Sequence, residues 1–262
     1  MVKNKTMAKI SVLLPTFNEE KVLEACLESV RWADEILVVD SYSTDRTLEI
    51  VRKYGARIIQ HEYITSAKQK NWAAPQCKYE WIFQIDSDEV LENGAEGEIR
   101  GAVSGASMEV EAFKLPRRNH FLGKWIRYAG MYPDYQTRLF RRNIGKWNDR
   151  EVHAHVRVIQ KVGTLKHHIL HYGAPFLTRQ LRNLDRYTRY EADELKKQGK
   201  PFRGLKFVVH PWLIFFYRYF WQQGWREGWR GLIICIYLSV YSFFSHAKLW
   251  ELEEFNLVQS PK

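Results

Sequence analysis

Three features are scarce in this 262-residue chain, and each scarcity removes a class of protein. Cysteine is the first. Cys26, Cys77 and Cys235 lie far apart, are odd in number and form no CxxC pair, which argues against a disulfide framework and a cysteine-rich zinc site. Glycine-rich phosphate cradles are the second. Neither GxGxxG nor GxxxxGK[ST] occurs, so dinucleotide-binding dehydrogenases and P-loop nucleotidases fall away. Long apolar runs are the third: the longest, Leu232 to Phe244, covers 13 residues, whereas a spanning helix needs about 20. Met1 to Lys9 is polar, with no apolar core of a signal peptide. These absences lead us to expect a cytoplasmic, reduced protein.

What is present is ordinary in bulk and unusual in distribution. Hydrophobic residues at 45% and charged residues at 27% exclude a disordered, collagenous or coiled-coil chain. The length suits one large domain or a domain with an appendage. A net charge of +10 first suggests a nucleic-acid partner, but the charge is divided. Residues 1–110 carry 13 basic and 18 acidic side chains, and the remainder carries 27 and 12. An acidic front half joined to a basic, aromatic back half is not a nucleic-acid-binding surface. No nucleic-acid partner is expected.

The front half alternates short apolar runs with helical stretches. Ile10–Leu14, Glu35–Val39, Arg57–Gln60 and Trp81–Ile85 read as buried strands. Glu20–Trp32 places Val22, Leu23, Cys26, Leu27 and Val30 on one helical face, and Thr44–Tyr54 follows Ser43 as N-cap. Repeated strand–helix units predict a mostly parallel α/β sheet with flanking helices. Beyond Val110 the pattern shifts to strands at 111–115, 136–141, 152–158 and 163–172, then a helix over 176–197. After Gly199-Lys200-Pro201, residues 202–250 hold 16 aromatics interleaved with Arg and Lys. Two regions are expected: 1–198 as the sheet domain, and 199–262 as C-terminal amphipathic, aromatic and basic helices.

In such a sheet, ligands bind beyond the carboxyl ends of the strands, where strand order reverses. Three of those ends are polar and acidic: Pro15-Thr16-Phe17-Asn18-Glu19, Asp40-Ser41-Tyr42-Ser43-Thr44-Asp45, and Asp86-Ser87-Asp88-Glu89. Two carboxylates one residue apart beyond a buried strand can hold a hard divalent cation, with a diphosphate completing the shell. An isolated Asp-Ser-Asp is more often a helix cap. Three acidic ends in one sheet favour the cation.

The segments PTFNEE (15–20), VVDSYSTD (38–45), AKQKNWA (67–73) and QIDSDE (84–89) together resemble family 2 glycosyltransferases of the GT-A fold. RRNHFLGKWIRYAGMYPD (117–134), RLFRR (138–142) and DREVHAHV (149–156) are similar to the lipopolysaccharide-core β-1,4-glucosyltransferase branch. The resemblance implies a metal-dependent, inverting transfer of a sugar, glucose in that branch, from a UDP-sugar to a lipid-linked envelope glycan. It implies Mg²⁺ or Mn²⁺ held by Asp86 and Asp88. Pro15, Thr16, Asn18, Glu19, Asp40 and Ser41 would line the nucleotide site, Lys68 would approach the phosphates, and Asp86 would also face the ribose. The metal would offset charge developing on the departing diphosphate.

The base is where the chain departs from that branch. A His-Glu pair is expected where this sequence has His153-Ala154. Asp134 and Glu151 are the available carboxylates. Asp134 is taken as base, with His153 as a third metal ligand or phosphate contact. The departure also keeps open a catalytically impaired membrane-binding protein of the same fold, and a polyprenyl-phosphate sugar synthase remains an alternative within enzymes.

Two further groups of residues have competing readings. His153, His155, His167, His168 and His171 suit either two adjoining strands or a zinc site. Arg117, Arg118, Arg138, Arg141 and Arg142 suit either a solvated strand face or phosphate recognition. The Trp- and Arg-rich region 206–250 fits helices lying in the headgroup plane of an anionic membrane. The expected location is peripheral, on the inner face of the cytoplasmic membrane.

Overall fold

A computed structural model describes residues 8–144, 146–148, 155–173 and 177–256. By packing, these fall into two compact units. The first spans 8–118, 134–148 and 155–171, and the second spans 119–133 and 172–256.

The first unit is an α/β layer built as the hydrophobic pattern predicts. Its leading half runs β1 (Ile10–Thr16), α1 (Leu23–Ser29), β2 (Glu35–Asp40), α2 (Thr47–Lys53), β3 (Arg57–Gln60), α3 (Ser66–Ala73) and β4 (Trp81–Gln84). β5 (Glu89–Leu91), α4 (Ala95–Gly105) and the long β6 (Val110–Phe121) follow. Strands β1 to β4 pair in parallel, with β1 between β2 and β4. The chain builds outward from β1 to β3 and then returns to the other side of β1. That reversal creates a crevice at the carboxyl ends of β1 and β4.

Alternation along β1 divides the core in two. Ile10, Val12 and Leu14 pack on one face with Leu27, Val38 and Phe83. Leu13 packs on the other face with Leu37, Val39, Ile82 and Phe140. Covering both faces is what a parallel sheet requires, and each such side chain contributes about 1.5–3 kcal/mol on burial.

The remaining strands are β7 (Lys124–Trp125), β8 (Asp134–Arg141), β9 (Lys146–Trp147), β10 (Val156–Arg157), β11 (Lys161–Thr164) and β12 (Ile169–His171). The sheet order is β3-β2-β1-β4-β8-β6-β12-β5, with β11 also on β6. β8 runs antiparallel to both β4 and β6. The single strand expected over 163–172 is two strands. Between them the amides of Lys166 and His167 donate to Glu98, and that of His168 donates to Glu92, so side chains take the hydrogen bonds a continuous ladder would need. Ser43 does not cap α2 as expected, because its hydroxyl is bound to Asp40 and receives the Asn18 amide.

In the second unit, β7 turns back on the end of β6. Three helices follow: α5 (Leu177–Lys197), α6 (Gly204–Phe216) and α7 (Trp229–Asn256). α7 packs against both α5 and α6. α5 turns Leu184, Thr188 and Ala192 inward at four-residue spacing, while Arg182, Arg186 and Arg189 stay exposed. A small core joins Phe121, Ile126 and Ala129 to Ile234 and Cys235. α6 and the turn after it expose Trp212, Leu213, Phe216, Phe220 and Trp221.

The sequence expectation that no apolar segment is long enough to span a membrane needs correction. Trp229–Phe255 within α7 is long and apolar enough to cross one. An uninterrupted-run count stops at scattered polar residues, which a helix tolerates when its average stays apolar.

Candidate active site

The first two strand ends are stitched to one another. Asn18, with φ of 53°, donates its amide to Ser43 Oγ at 2.9 Å and accepts from the Thr44 amide at 2.8 Å. The Glu19 amide donates to Thr47 Oγ1 at 2.9 Å. Asp40, fully buried, accepts from the Ser43 amide and from Gln60 Nε2, both at 3.0 Å. Ser41 Oγ accepts from the buried Gln69 at 2.6 Å. Asn18, Glu19, Asp40 and Ser41 therefore hold the rim rigid through side chains and amides. Pro15 is half-buried beside them, and Thr16 is buried. Two buried polar atoms at these strand ends lack a partner, Thr16 Oγ1 and His61 Nδ1. Buried polar groups are normally satisfied, so these two are exceptions beside the rim.

At the end of β4 the carboxylates divide their tasks. Asp86 Oδ1 meets Lys70 Nζ at 2.9 Å, and its Oδ2 meets Arg138 Nη2 at 2.9 Å. Arg138 also lies 2.6 Å from the fully buried Glu89, which in turn meets Arg117 at 3.1 Å. Arg117 reaches Asp134 at 2.8 Å. Three cations and three carboxylates thus alternate in one chain of ion pairs, Lys70–Asp86–Arg138–Glu89–Arg117–Asp134. Burial would push Asp86 up, but Lys70 and Arg138 overcome it and hold the carboxyl well below the usual range. The same carboxylates raise Arg138 and Arg117 against the opposing effect of burial.

Asp88 stands outside that chain. Its Oδ2 lies 3.4 Å from His171 Nε2, and 26% of its side chain is exposed, enough for a ligand to reach. Burial raises and His171 lowers its carboxyl, with the histidine prevailing. Among the described residues, no three His, Cys, Asp or Glu side chains converge on a metal position. A hard cation held by one or two protein groups plus phosphate oxygens and water suits Mg²⁺ or Mn²⁺. Asp88, claimed by no Arg or Lys among the described residues, fits that demand better than Asp86.

Several expected residues are placed differently. Lys68 is exposed, its amide capping α3 on Thr65, whereas Lys70 reaches Asp86. The arginines form neither a solvated face nor an open phosphate site. Arg138 and Arg117 are in the ion-pair chain, Arg118 pairs with Glu92, Arg141 lies over the Trp81 ring, and Arg142 binds the Cys77 carbonyl. Among the described residues the histidines do not converge either. His167 binds Glu98, His168 binds Glu92 and His155 meets Asn148. Glu151, His153 and Ala154 lie outside the described residues. Three partners of the β4 carboxylates had no assigned part in the sequence analysis: Lys70, Gln84, which donates to Asp86 at 2.9 Å, and His171, named there only as a possible zinc ligand. Lys70 sits in the same AKQKNWA segment as Lys68, and of the two it is the one that pairs with Asp86.

The glycosyl transferase family 2 model matches residues 11–161. The chain belongs to that family. It is 29% identical over 249 residues to the lipopolysaccharide core biosynthesis glycosyltransferase LpsC of Rhizobium meliloti (strain 1021), covering 92% of each chain. It is 27% identical over 265 residues to an uncharacterized glycosyltransferase of Rickettsia bellii (strain RML369-C), covering 93% of this chain and 87% of that one. Among solved structures it is similar to glucosyl-3-phosphoglycerate synthase from Mycobacterium tuberculosis, determined in complex with Mn²⁺, UDP and phosphoglyceric acid. The TM-score is 0.50 at 16% identity, covering 74% of this chain and 80% of that one. This likeness concerns the fold. With the family shown, the glycosyltransferase is an enzyme on a GT-A type α/β sheet.

Proposed function

We propose that this glycosyltransferase moves a sugar, glucose by analogy with the branch it resembles, from a UDP-sugar to a lipid-linked envelope glycan such as the lipopolysaccharide core. The observation carrying the reading is the division at the end of β4. Asp86 is locked by Lys70 and Arg138, while Asp88 is left reachable beside His171. In this reading the nucleoside lies against Thr16, Asp40, Ser41 and the rim of Asn18 and Glu19, with Asp86 toward the ribose. Asp88 and His171 hold Mg²⁺ or Mn²⁺, which supplies Lewis-acid stabilisation of the departing diphosphate. The LpsC name and the Mn²⁺ and UDP of the mycobacterial synthase support the substrate class.

Asp134 is the proposed base. Arg117 lies 2.8 Å from its carboxylate and occupies the group that must take the proton. The reading therefore requires Arg117 to loosen from Asp134 toward Glu89 when the acceptor hydroxyl arrives. Glu151 and His153 keep their proposed parts as alternative base and as phosphate contact.

The second unit is proposed to sit on the cytoplasmic membrane from the inner side. Exposed Trp212, Phe216, Trp221 and Trp229 beside exposed arginines match an interfacial surface. The testing experiment is UDP release from UDP-glucose with and without Mn²⁺, using a lipid-linked glycan extract as acceptor. Metal-independent release, or release unchanged in Asp88→Ala, would sink the reading.

A further inference from the structure

The second unit contains a cavity of about 320 Å³ between the loop 127–132 and the turn 221–223. That volume lies at the lower end of the ~300–1,000 Å³ range of small-molecule sites. Its walls are Arg127, Tyr128, Tyr132, Trp221 and Gln222, with Gly130 at the base.

The two sides are fastened together. The Ala129 amide donates to the Gln222 carbonyl at 2.9 Å, and Arg218 Nη1 donates to the Ala129 carbonyl at 2.6 Å. Ala129, with φ of 59°, and Gly130, with φ of 71°, turn the loop tightly at this point. Glu227 ties the loop from below, accepting the amides of Arg127 at 2.8 Å and Tyr128 at 3.2 Å. The cavity is therefore a fixed feature of the unit.

Its chemistry is that of a saccharide site with an anion reader. The Arg127 guanidinium stacks over Trp125 at 4.3 Å, and Trp125 meets Tyr132 edge-on at 5.4 Å. Among the described residues, no carboxylate pairs with Arg127. A guanidinium backed by an aromatic ring keeps its hydrogen-bonding fork available for phosphate or carboxylate. Gln222 Oε1 is buried and lacks a donor. It lies so close over Gly130 that a Cβ there would come within 2.2 Å. A ligand hydroxyl would supply that donor. Aromatic walls suit the C–H faces of a pyranose ring, with polar groups fixing its orientation.

We propose that this cavity binds an anionic pyranose, a sugar ring bearing a phosphate or carboxylate, as a recognition unit of the acceptor. Arg127 reads the anionic group, Gln222 Oε1 accepts from a ring hydroxyl, and Tyr128, Tyr132 and Trp221 flank the ring. The proposal rests on the reading of the protein as a glycan-modifying transferase, and it narrows the acceptor to a negatively charged saccharide.

The test uses the full chain and ligand-detected saturation-transfer NMR, with methyl glucoside 6-phosphate and methyl glucoside as probes and UDP titrated in parallel. The expected result is about tenfold tighter binding of the phosphorylated sugar, the size of one charge-assisted hydrogen bond. Arg127→Gln should remove the difference, and Gln222→Ala should weaken both sugars, each with UDP affinity unchanged. Loss of UDP binding with the sugar preference intact would overturn the donor reading and uphold this site. Absence of sugar-phosphate binding in the wild-type chain, whatever UDP does, overturns it. So does an Arg127→Gln variant that keeps the preference. An Arg127→Gln variant that binds sugar phosphate normally but loses binding to phosphatidylglycerol vesicles would assign the cavity to lipid headgroups and overturn the proposal.

Discussion

Arg138 Nη2 lies 2.9 Å from Asp86 Oδ2, although 52 residues of sequence separate the two. The same nitrogen reaches Glu89, so one buried guanidinium neutralises two carboxylates at the end of β4. Removing it leaves Asp86 with Lys70 and Glu89 with Arg117, and cuts the buried chain of ion pairs in the middle. Arg138→Met should cost about 3–5 kcal/mol of stability, the range for breaking a buried pair from one side. Urea denaturation of the two proteins checks it, and a loss under about 1 kcal/mol would mean that water replaces the guanidinium without penalty.

Asp88 and His171 should separate metal binding from folding. Asp88→Ala is expected to lower metal-dependent UDP release about 10²–10³-fold while leaving thermal stability nearly unchanged. His171→Ala should weaken Mn²⁺ binding about 10–100-fold. Titration of Mn²⁺ by electron paramagnetic resonance, with UDP present, reads the affinity directly. Equal Mn²⁺ binding by all three proteins would remove both residues from the metal site.

Glu227 should make the second unit sensitive to acid. Burial raises its carboxyl, but the Arg127 and Tyr128 amides and Lys124 outweigh burial and hold it below the ordinary value. The unfolded carboxyl titrates near ~4.3. A depressed folded value means the stabilisation is fully present above that point and fades as pH falls through the folded value. The stability difference between wild type and Glu227→Gln should thus be flat from about pH 5.5 to 7.5 and shrink below about pH 4.5. A difference that grows on acidification would contradict the assignment.

Gly231 should tolerate no side chain. A Cβ there would stand 1.9 Å from the Gly224 carbonyl oxygen, a backbone atom that cannot swing aside. Gly231→Ala is expected to cost about 1–3 kcal/mol or more through overpacking. Gly228→Ala offers a control with open space around the added carbon but a positive φ of 62°. Differential scanning calorimetry of the pair distinguishes steric from conformational cost. Equal melting temperatures for wild type and Gly231→Ala would show that the crossing can open.

The alternation of buried runs and helical faces made the α/β sheet legible, because burial on both faces leaves strands such as Leu13–Leu14 and Leu37–Val39 almost wholly apolar. The acidic ends of β1, β2 and β4 were legible for the same reason. Polar residues directly beyond a buried strand have to lie at the sheet's edge, where ligands bind. The family resemblance added the expected chemistry of those ends to what periodicity could supply. Nothing local distinguishes Lys70 from Lys68, or an arginine bound to Glu89 from one facing water. Those choices depend on which strand lies beside which, and β8 brings Arg138 to Asp86 by pairing with β4 across more than 50 residues. His171 likewise meets Asp88 through the pairing of β12 with β5. Hydrophobic periodicity reports which side of an element is buried. Electrostatic partnership requires charges to meet in space, so only the tertiary structure decided which carboxylate was locked and which was left for a ligand.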